Sequence, residues 1–193
     1  EHALRTTAVP PEAIDMGFDW RDPDSGIEHT RPQQPALRIY KLHGSSDLLR
    51  CRCCGYVYFN SNGSIAHQVM RKDLDHGNTC HCRDDLRLEL QIVSPSLVRD
   101  IRDANLLSIW RSALEWMRNA EEWVIAGYSL PPEDLAIRSL LLHAHATAPK
   151  GNKPRISVVQ VDDKARPNYR VLFPDCTYRT DGLEGFLSDK GES

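Results

Sequence analysis

Apolar residues recur at three- and four-residue intervals between positions 105 and 122, at Leu106, Ile109, Trp110, Ala113, Leu114, Met117 and Ala120. This is the period of one helical face, and it predicts a helix packed on a core. Trp123-Val124-Ile125-Ala126 comes next as a short apolar run ending in Gly127-Tyr128-Ser129-Leu130, the pattern of a buried strand and its turn. Pro131-Pro132-Glu133-Asp134 then opens a second helical pattern, which runs to about residue 146. Residues 156–161, Ile-Ser-Val-Val-Gln-Val, read as another buried strand with Asp162 and Asp163 at its end. Residues 176–179 read as one more, before a short terminal helix from Leu183. Strands alternating with helices imply an α/β fold with a parallel sheet of the doubly wound kind.

Earlier in the chain the period shortens. Residues 37–42, Leu-Arg-Ile-Tyr-Lys-Leu, alternate apolar and polar positions and predict a strand whose carboxyl end is His43-Gly44-Ser45-Ser46. Residues 56–59 predict a short strand before the turn Asn60-Ser61-Asn62-Gly63, and residues 86–94 a strand leading to Ser94-Pro95-Ser96. Residues 5–36 hold Pro10, Pro11, Pro23, Pro32 and Pro35 with little periodicity, which argues for irregular connecting structure.

With 193 residues, 40% apolar and 26% charged, the chain suits one ordinary domain with a small appendage. A formal charge of -3 gives no electrostatic case for nucleic acid or a membrane surface as partner. No apolar run approaches the roughly 18 residues of a membrane span, and no secretory leader is visible, so the reading is a soluble, cytoplasmic protein.

Five of the six cysteines fall within residues 51–82, and Cys176 stands apart. Such clustering favours metal over a disulfide scaffold. Cys51 and Cys54, with two residues between them, can aim both sulfurs at one ion from a tight turn, and Cys80 and Cys82 can complete a zinc tetrahedron at about 2.3 Å per Zn–S contact. Four thiolates leave no open coordination position, so this zinc is structural. Cys53, His76 and His81 are substitutes for a ligand, and disulfides or reactive thiols are the alternatives.

His43 is of the type that does acid–base work near neutral pH, and Gly44 would let the backbone approach a ligand; the alternative is a partly buried histidine bonded to a carbonyl. Gly127, Tyr128 and Ser129 lie between a strand and a helix, where open α/β sheets bind ligands, yet they lack the glycine-rich fingerprint and fit an ordinary turn equally. Asp162 or Asp163 could accept hydrogen bonds from ribose, or be a solvated turn residue. His143 and His145, two apart on a helix, cannot share a face. Trp110, Trp116 and Trp123 read as packing residues, and Arg50, Arg52, Arg71, Lys72 and Arg83 as a solvated surface.

Taken in order and spacing, Tyr40-Lys41-Leu42-His43-Gly44-Ser45, the paired cysteines, Gln91-Ile92-Val93-Ser94-Pro95-Ser96, the Trp110 helix, Ala126-Gly127-Tyr128-Ser129-Leu130-Pro131 with Asp134, and Val158-Val159-Gln160-Val161-Asp162 resemble the bacterial SIR2-like family related to sirtuins. The resemblance covers nearly everything after residue 37. It implies a Rossmann-like sheet that binds NAD, with a small inserted zinc module at residues 51–83, between 37–50 and 84–193 of the sheet domain, and a connecting segment at 1–36. It implies that His43 is the catalytic histidine, that Gly44 and Ser45 stand beside the cofactor, and that Gly127, Tyr128 and Ser129 contact the adenosine side of NAD. Gln160 stands where sirtuins place an asparagine, with Asp162 and Asp163 beside it. Ser94-Pro95-Ser96 replaces the sirtuin segment that helps to hold an acyl-peptide, which leans away from deacylation and toward NAD hydrolysis, an activity the family uses in phage defence.

The family's glycine-rich phosphate turn and its Thr-Asn-Tyr-Asp type motif do not occur here, while Glu1-His2-Ala3-Leu4 resembles the few residues that normally come after that motif. The expectation is a partial Rossmann-like domain whose N-terminal half, with the pyrophosphate turn, is supplied from elsewhere; this chain alone would then be inactive. A homo-oligomer stays open. Alternatives to NAD hydrolysis are an NAD-dependent deacylase, a non-catalytic nucleotide sensor, and a zinc-ribbon interaction module.

Overall fold

Ile14, Met16, Phe18 and Trp20 are all buried and share one core cluster. A computed structural model describes residues 9–23, 25–59, 79–92, 103–149 and 151–191. The chain divides into two units, Glu1–Ser112 and Ala113–Ser193.

In the first unit the strands are β1 (Ile14–Asp15), β2 (Trp20–Arg21), β3 (Glu28–His29), β4 (Leu37–Arg38), β5 (Gly44–Arg50), β6 (Val57–Phe59), β7 (Thr79–Cys80), β8 (Arg83–Arg87) and β9 (Glu89–Ile92). Five of them form a mixed sheet in the order β3-β2-β6-β5-β9, parallel only between β2 and β6. β1 pairs with β4 in parallel, and β7 with β8 antiparallel. The period of two sorts the sheet's faces. Leu48, Val57 and Phe59 join Ile14, Met16, Phe18, Trp20, Leu106 and Ile109 in one core cluster, while Leu49 and Tyr58 join Cys51, Cys80 and Leu88 in another. A cysteine cluster thus lies under one face of the sheet.

Helix α1 (Ala104–Asn119) begins where Asp103 Oδ1 accepts the Leu106 N–H at 2.9 Å. Among its described residues, segment 1–36, expected as connecting structure, contributes three short strands and four buried residues of the first core.

The second unit alternates: β10 (Glu122–Ala126), α2 (Leu135–Thr147), β11 (Arg155–Val159), α3 (Arg166–Leu172), β12 (Thr177–Arg179) and α4 (Gly182–Gly191). Its sheet is parallel in the order β10-β11-β12, with Trp123 beside Ile156 and Ile125 beside Val158. Trp123, Ile156 and Val158 pack with Leu141 and Ala144 of α2 and Tyr169 of α3. Hence the described residues form a mixed α/β structure with a five-stranded mixed sheet, a three-stranded parallel sheet and two two-stranded pairs.

One expected placement is reversed. His43-Gly44-Ser45 does not close the strand at 37–42: β4 stops at Arg38, and Gly44 opens β5. Gly44 has φ +74°, and a Cβ there would stand 1.8 Å from the Gln91 carbonyl oxygen. The glycine admits the neighbouring strand β9. The turn at 60–63, His76, Arg71, Lys72, Ser94-Pro95-Ser96 and the first four residues lie outside the described residues. Among the described residues no helix is long and apolar enough to cross a membrane.

Candidate metal centre

The first ligand pair is set by a knuckle after β5. Gly55 N–H bonds to the Cys51 carbonyl at 3.0 Å, Cys51 N–H to the Tyr56 carbonyl at 3.0 Å, and Cys53 N–H points at Cys51 Sγ at 3.3 Å. The second pair sits on the β7-β8 turn, where Cys82 N–H points at Cys80 Sγ at 3.5 Å. Backbone donors thus face sulfur in both pairs, which stabilises thiolate.

All four sulfurs, of Cys51, Cys54, Cys80 and Cys82, lie within 4.8 Å of one another. Cys51 Sγ is 3.7 Å from Cys82 Sγ, and Cys54 Sγ is 3.4 Å from Cys80 Sγ. A tetrahedron with Zn–S arms of about 2.3 Å has edges of about 3.8 Å, whereas a disulfide needs about 2.05 Å. The spacing fits a shared ion and not a bridge, and each cysteine is a free thiol. The four cysteines can hold a metal ion such as zinc. Cys53 is exposed and outside the cluster.

Proton affinities carry the same message. Burial opposes ionisation of Cys51, but the N–H groups of Cys54 and Cys53 and neighbouring thiols bring it down to about 7. Cys82 is pushed up, first by its hydrogen bond to Cys80, and Cys54 is pushed up by burial and by Cys80 and Cys51. One thiolate among close neighbours holds the others protonated; a dication held by the four sulfurs would remove that conflict and let all four ionise.

Two residues that spacing does not single out as a pair stand behind Cys80. Tyr58, 3% exposed, brings its hydroxyl to 3.4 Å from Cys80 Sγ and 2.6 Å from His81 Nδ1. Burial, then Cys80, pushes its phenol up. His81, a substitute ligand by spacing, therefore bonds to Tyr58 outside the sulfur cluster. The period of two, which puts Tyr58 opposite Val57 and Phe59, is the signal in the sequence that could have found it.

The remaining candidates have these surroundings. His43 stacks edge-on to Trp110, with centroids 6.1 Å apart, and Trp110 Nε1 donates to the Leu42 carbonyl at 2.9 Å. Ser45 Oγ accepts from Lys41 Nζ at 2.8 Å, and the same ammonium grips both Asp47 oxygens at 2.8 Å. In the second unit, Gly127 (φ +68°) and Leu130 (φ +49°) turn the chain off the carboxyl end of β10. That turn is fastened from three sides: Gln160 Nε2 and Tyr169 Oη donate to the Tyr128 carbonyl at 2.7 and 2.5 Å, and Asn168 Nδ2 to the Ser129 carbonyl at 3.0 Å. Tyr128 Oη donates to Asp134 Oδ2 at 2.5 Å, and its phenol is pushed up by burial and by that carboxylate. Asp162 comes after β11, binding the Lys164 N–H at 3.0 Å and Lys164 Nζ at 2.9 Å, and Asp163 pairs with Arg166. Gly127, Tyr128, Ser129, Gln160, Asp162 and Asp163 are thereby gathered at the carboxyl ends of two adjacent parallel strands.

Compared with protein-family models, with curated proteins and with solved structures, the chain matches none.

Proposed function

We propose that this is a zinc-stabilised, SIR2-like protein that binds NAD and cleaves its nicotinamide–ribose bond, with a Rossmann-like sheet in the second unit. The observation that supports it best is the gathering at the ends of β10 and β11. Ligands of open parallel sheets bind outside the carboxyl ends of strands, and a turn fastened by Gln160, Tyr169 and Asn168 is a preorganised seat. Gly127 and Ser129 would meet the adenosine portion, and Asp162 or Asp163 the ribose hydroxyls. Cleavage breaks the C–N bond to nicotinamide, which leaves with the electron pair; water then attacks the oxocarbenium-like carbon and loses its proton to a base, the role that the SIR2-like resemblance gives to His43. Bound zinc supplies a cross-link and no catalysis, because four thiolates fill its coordination.

The test is NAD binding to the chain by calorimetry, with nicotinamide release measured on the full-length protein. Asp162→Ala combined with Asp163→Ala is expected to weaken binding about tenfold, and His43→Ala to lower turnover about 100-fold or more. Nicotinamide release that His43→Ala leaves unchanged would remove His43 from the chemistry. Release that requires an acylated lysine peptide would convert the reading to a deacylase.

A second reading has its own observation. A cleft of about 650 Å³ in the first unit is lined by Arg50, Arg52, Gln91 and Asp103 beside the zinc knuckle. It favours a zinc-ribbon interaction module, which gains if NAD does not bind.

A further inference from the structure

The hydroxyl of Tyr58 can give one hydrogen and accept two. It accepts from the His81 backbone N–H at 3.0 Å, and two further polar atoms lie in reach: His81 Nδ1 at 2.6 Å and Cys80 Sγ at 3.4 Å. Only one of those can receive the phenolic hydrogen. If Nδ1 received it, an oxygen lone pair would face a sulfur that a metal centre keeps as thiolate, and lone pair against thiolate is repulsive. If Cys80 receives it, Nδ1 carries its own hydrogen and donates to the phenol. Every donor and acceptor of Tyr58 is then used, two of them by one histidine.

We propose that Tyr58 is an outer-sphere partner of the metal centre, its hydroxyl donating to the Cys80 thiolate and itself held in place by His81, so that this pair sets how tightly the metal is bound. The inference rests on the zinc reading of the four cysteines. Its chemistry is general: a hydrogen bond to a ligating sulfur draws off charge and fixes the ligand's orientation, and losing such a partner costs about 10- to 100-fold in metal affinity. Tyr58 suits the role because it is 3% exposed, so water does not compete for its hydrogen. His81 is braced in turn by the edge-on ring of Tyr56, centroids 5.0 Å apart.

Zinc affinity of the full chain is measured by competition with a chromophoric chelator, and the cobalt(II) form is read by its thiolate-to-metal charge-transfer absorption. Tyr58→Phe keeps the ring and removes only the hydroxyl. The expected result is affinity weaker by about tenfold or more together with a shifted charge-transfer band. Affinity within about twofold of the parent overturns the proposal, as does weakening with an unmoved band, which would make Tyr58 a packing residue alone. Should Tyr58→Phe not fold, His81→Ala is read instead, since it keeps the backbone N–H and the phenol. Weakening of about threefold or more with a shifted band supports the proposal, and an unchanged site overturns it. A parent protein that takes up no zinc brings down the metal centre and this inference with it, a result distinct from a parent and a Tyr58→Phe variant that bind equally.

Discussion

Gly44 and Asp15 show how single residues are fixed by what surrounds them. A methyl group at 44 would need a left-handed backbone and would meet the Gln91 carbonyl oxygen at 1.8 Å. Gly44→Ala is therefore expected to destabilise the first unit by about 2 kcal/mol or more, read as a lowered urea midpoint. Asp15, 4% exposed, receives Arg31 Nε at 2.9 Å, Arg31 Nη2 at 3.0 Å, Tyr40 Oη at 2.7 Å and the Gly17 N–H at 2.8 Å. Burial alone would raise its pKa, but Arg31, Tyr40 and Gly17 outweigh it and lower it. Asp47, held by Lys41 and Ser45 against the same burial, is lowered too. A carboxylate with a depressed folded pKa adds stability above its unfolded value, about 3.9, and loses it as pH falls through the folded value. The contribution of Asp15 and Asp47 should thus be flat near neutrality and fall below about pH 4. Asp15→Asn should flatten that acid limb in unfolding midpoints taken across pH.

Elements differ in how plainly the sequence announces them. The stripe from Leu106 to Ala120, the run at 123–126 and the cap at Asp134 are local signals, and α1, β10 and α2 form where they stand. Helix α3 gives no comparable signal, because Arg166–Leu172 is too short for a repeating stripe and buries only Tyr169. The reversal at β4 and β5 has another cause. Alternation at 37–42 is real, but hydrogen bonding to a partner decides where a strand runs, and β4 has a partner, β1, only over Leu37 and Arg38. Asp134 offers a prediction at this scale: its Oδ1 accepts the Ile137 N–H at 3.2 Å while Oδ2 takes the Tyr128 hydroxyl. Asp134→Ala should cost about 1 kcal/mol for the lost cap. It should also loosen the Gly127–Leu130 turn, seen as faster amide exchange there than in β11.

For the whole molecule, the four-cysteine cluster that can hold a metal is legible in the cysteine spacing because ligand chemistry is local. Its setting is not, since it depends on which face of a five-stranded sheet each residue takes. Leu49, Cys51, Tyr58, Cys80 and Leu88 form one buried cluster, so an ion held by the cysteines and the core on that face would stand or fall together. Chelating the metal is expected to strip exchange protection from β5, β6 and β9 while β10, β11 and β12 keep theirs, measured by hydrogen–deuterium exchange with and without chelator. Simultaneous loss across both sheets would refute a metal effect confined to the first unit.

The contact at Gly44 bears on how descendants of this chain would be read. Selection for folding alone would hold a glycine at 44, because the Gln91 carbonyl occupies the room a side chain would need. Constancy of that glycine would therefore say nothing about turnover. His43, its neighbour, is not among the residues with a left-handed backbone, so under the proposed NAD-cleaving reading a lineage that keeps Gly44 while letting His43 drift would be one that had given up the chemistry and kept the scaffold.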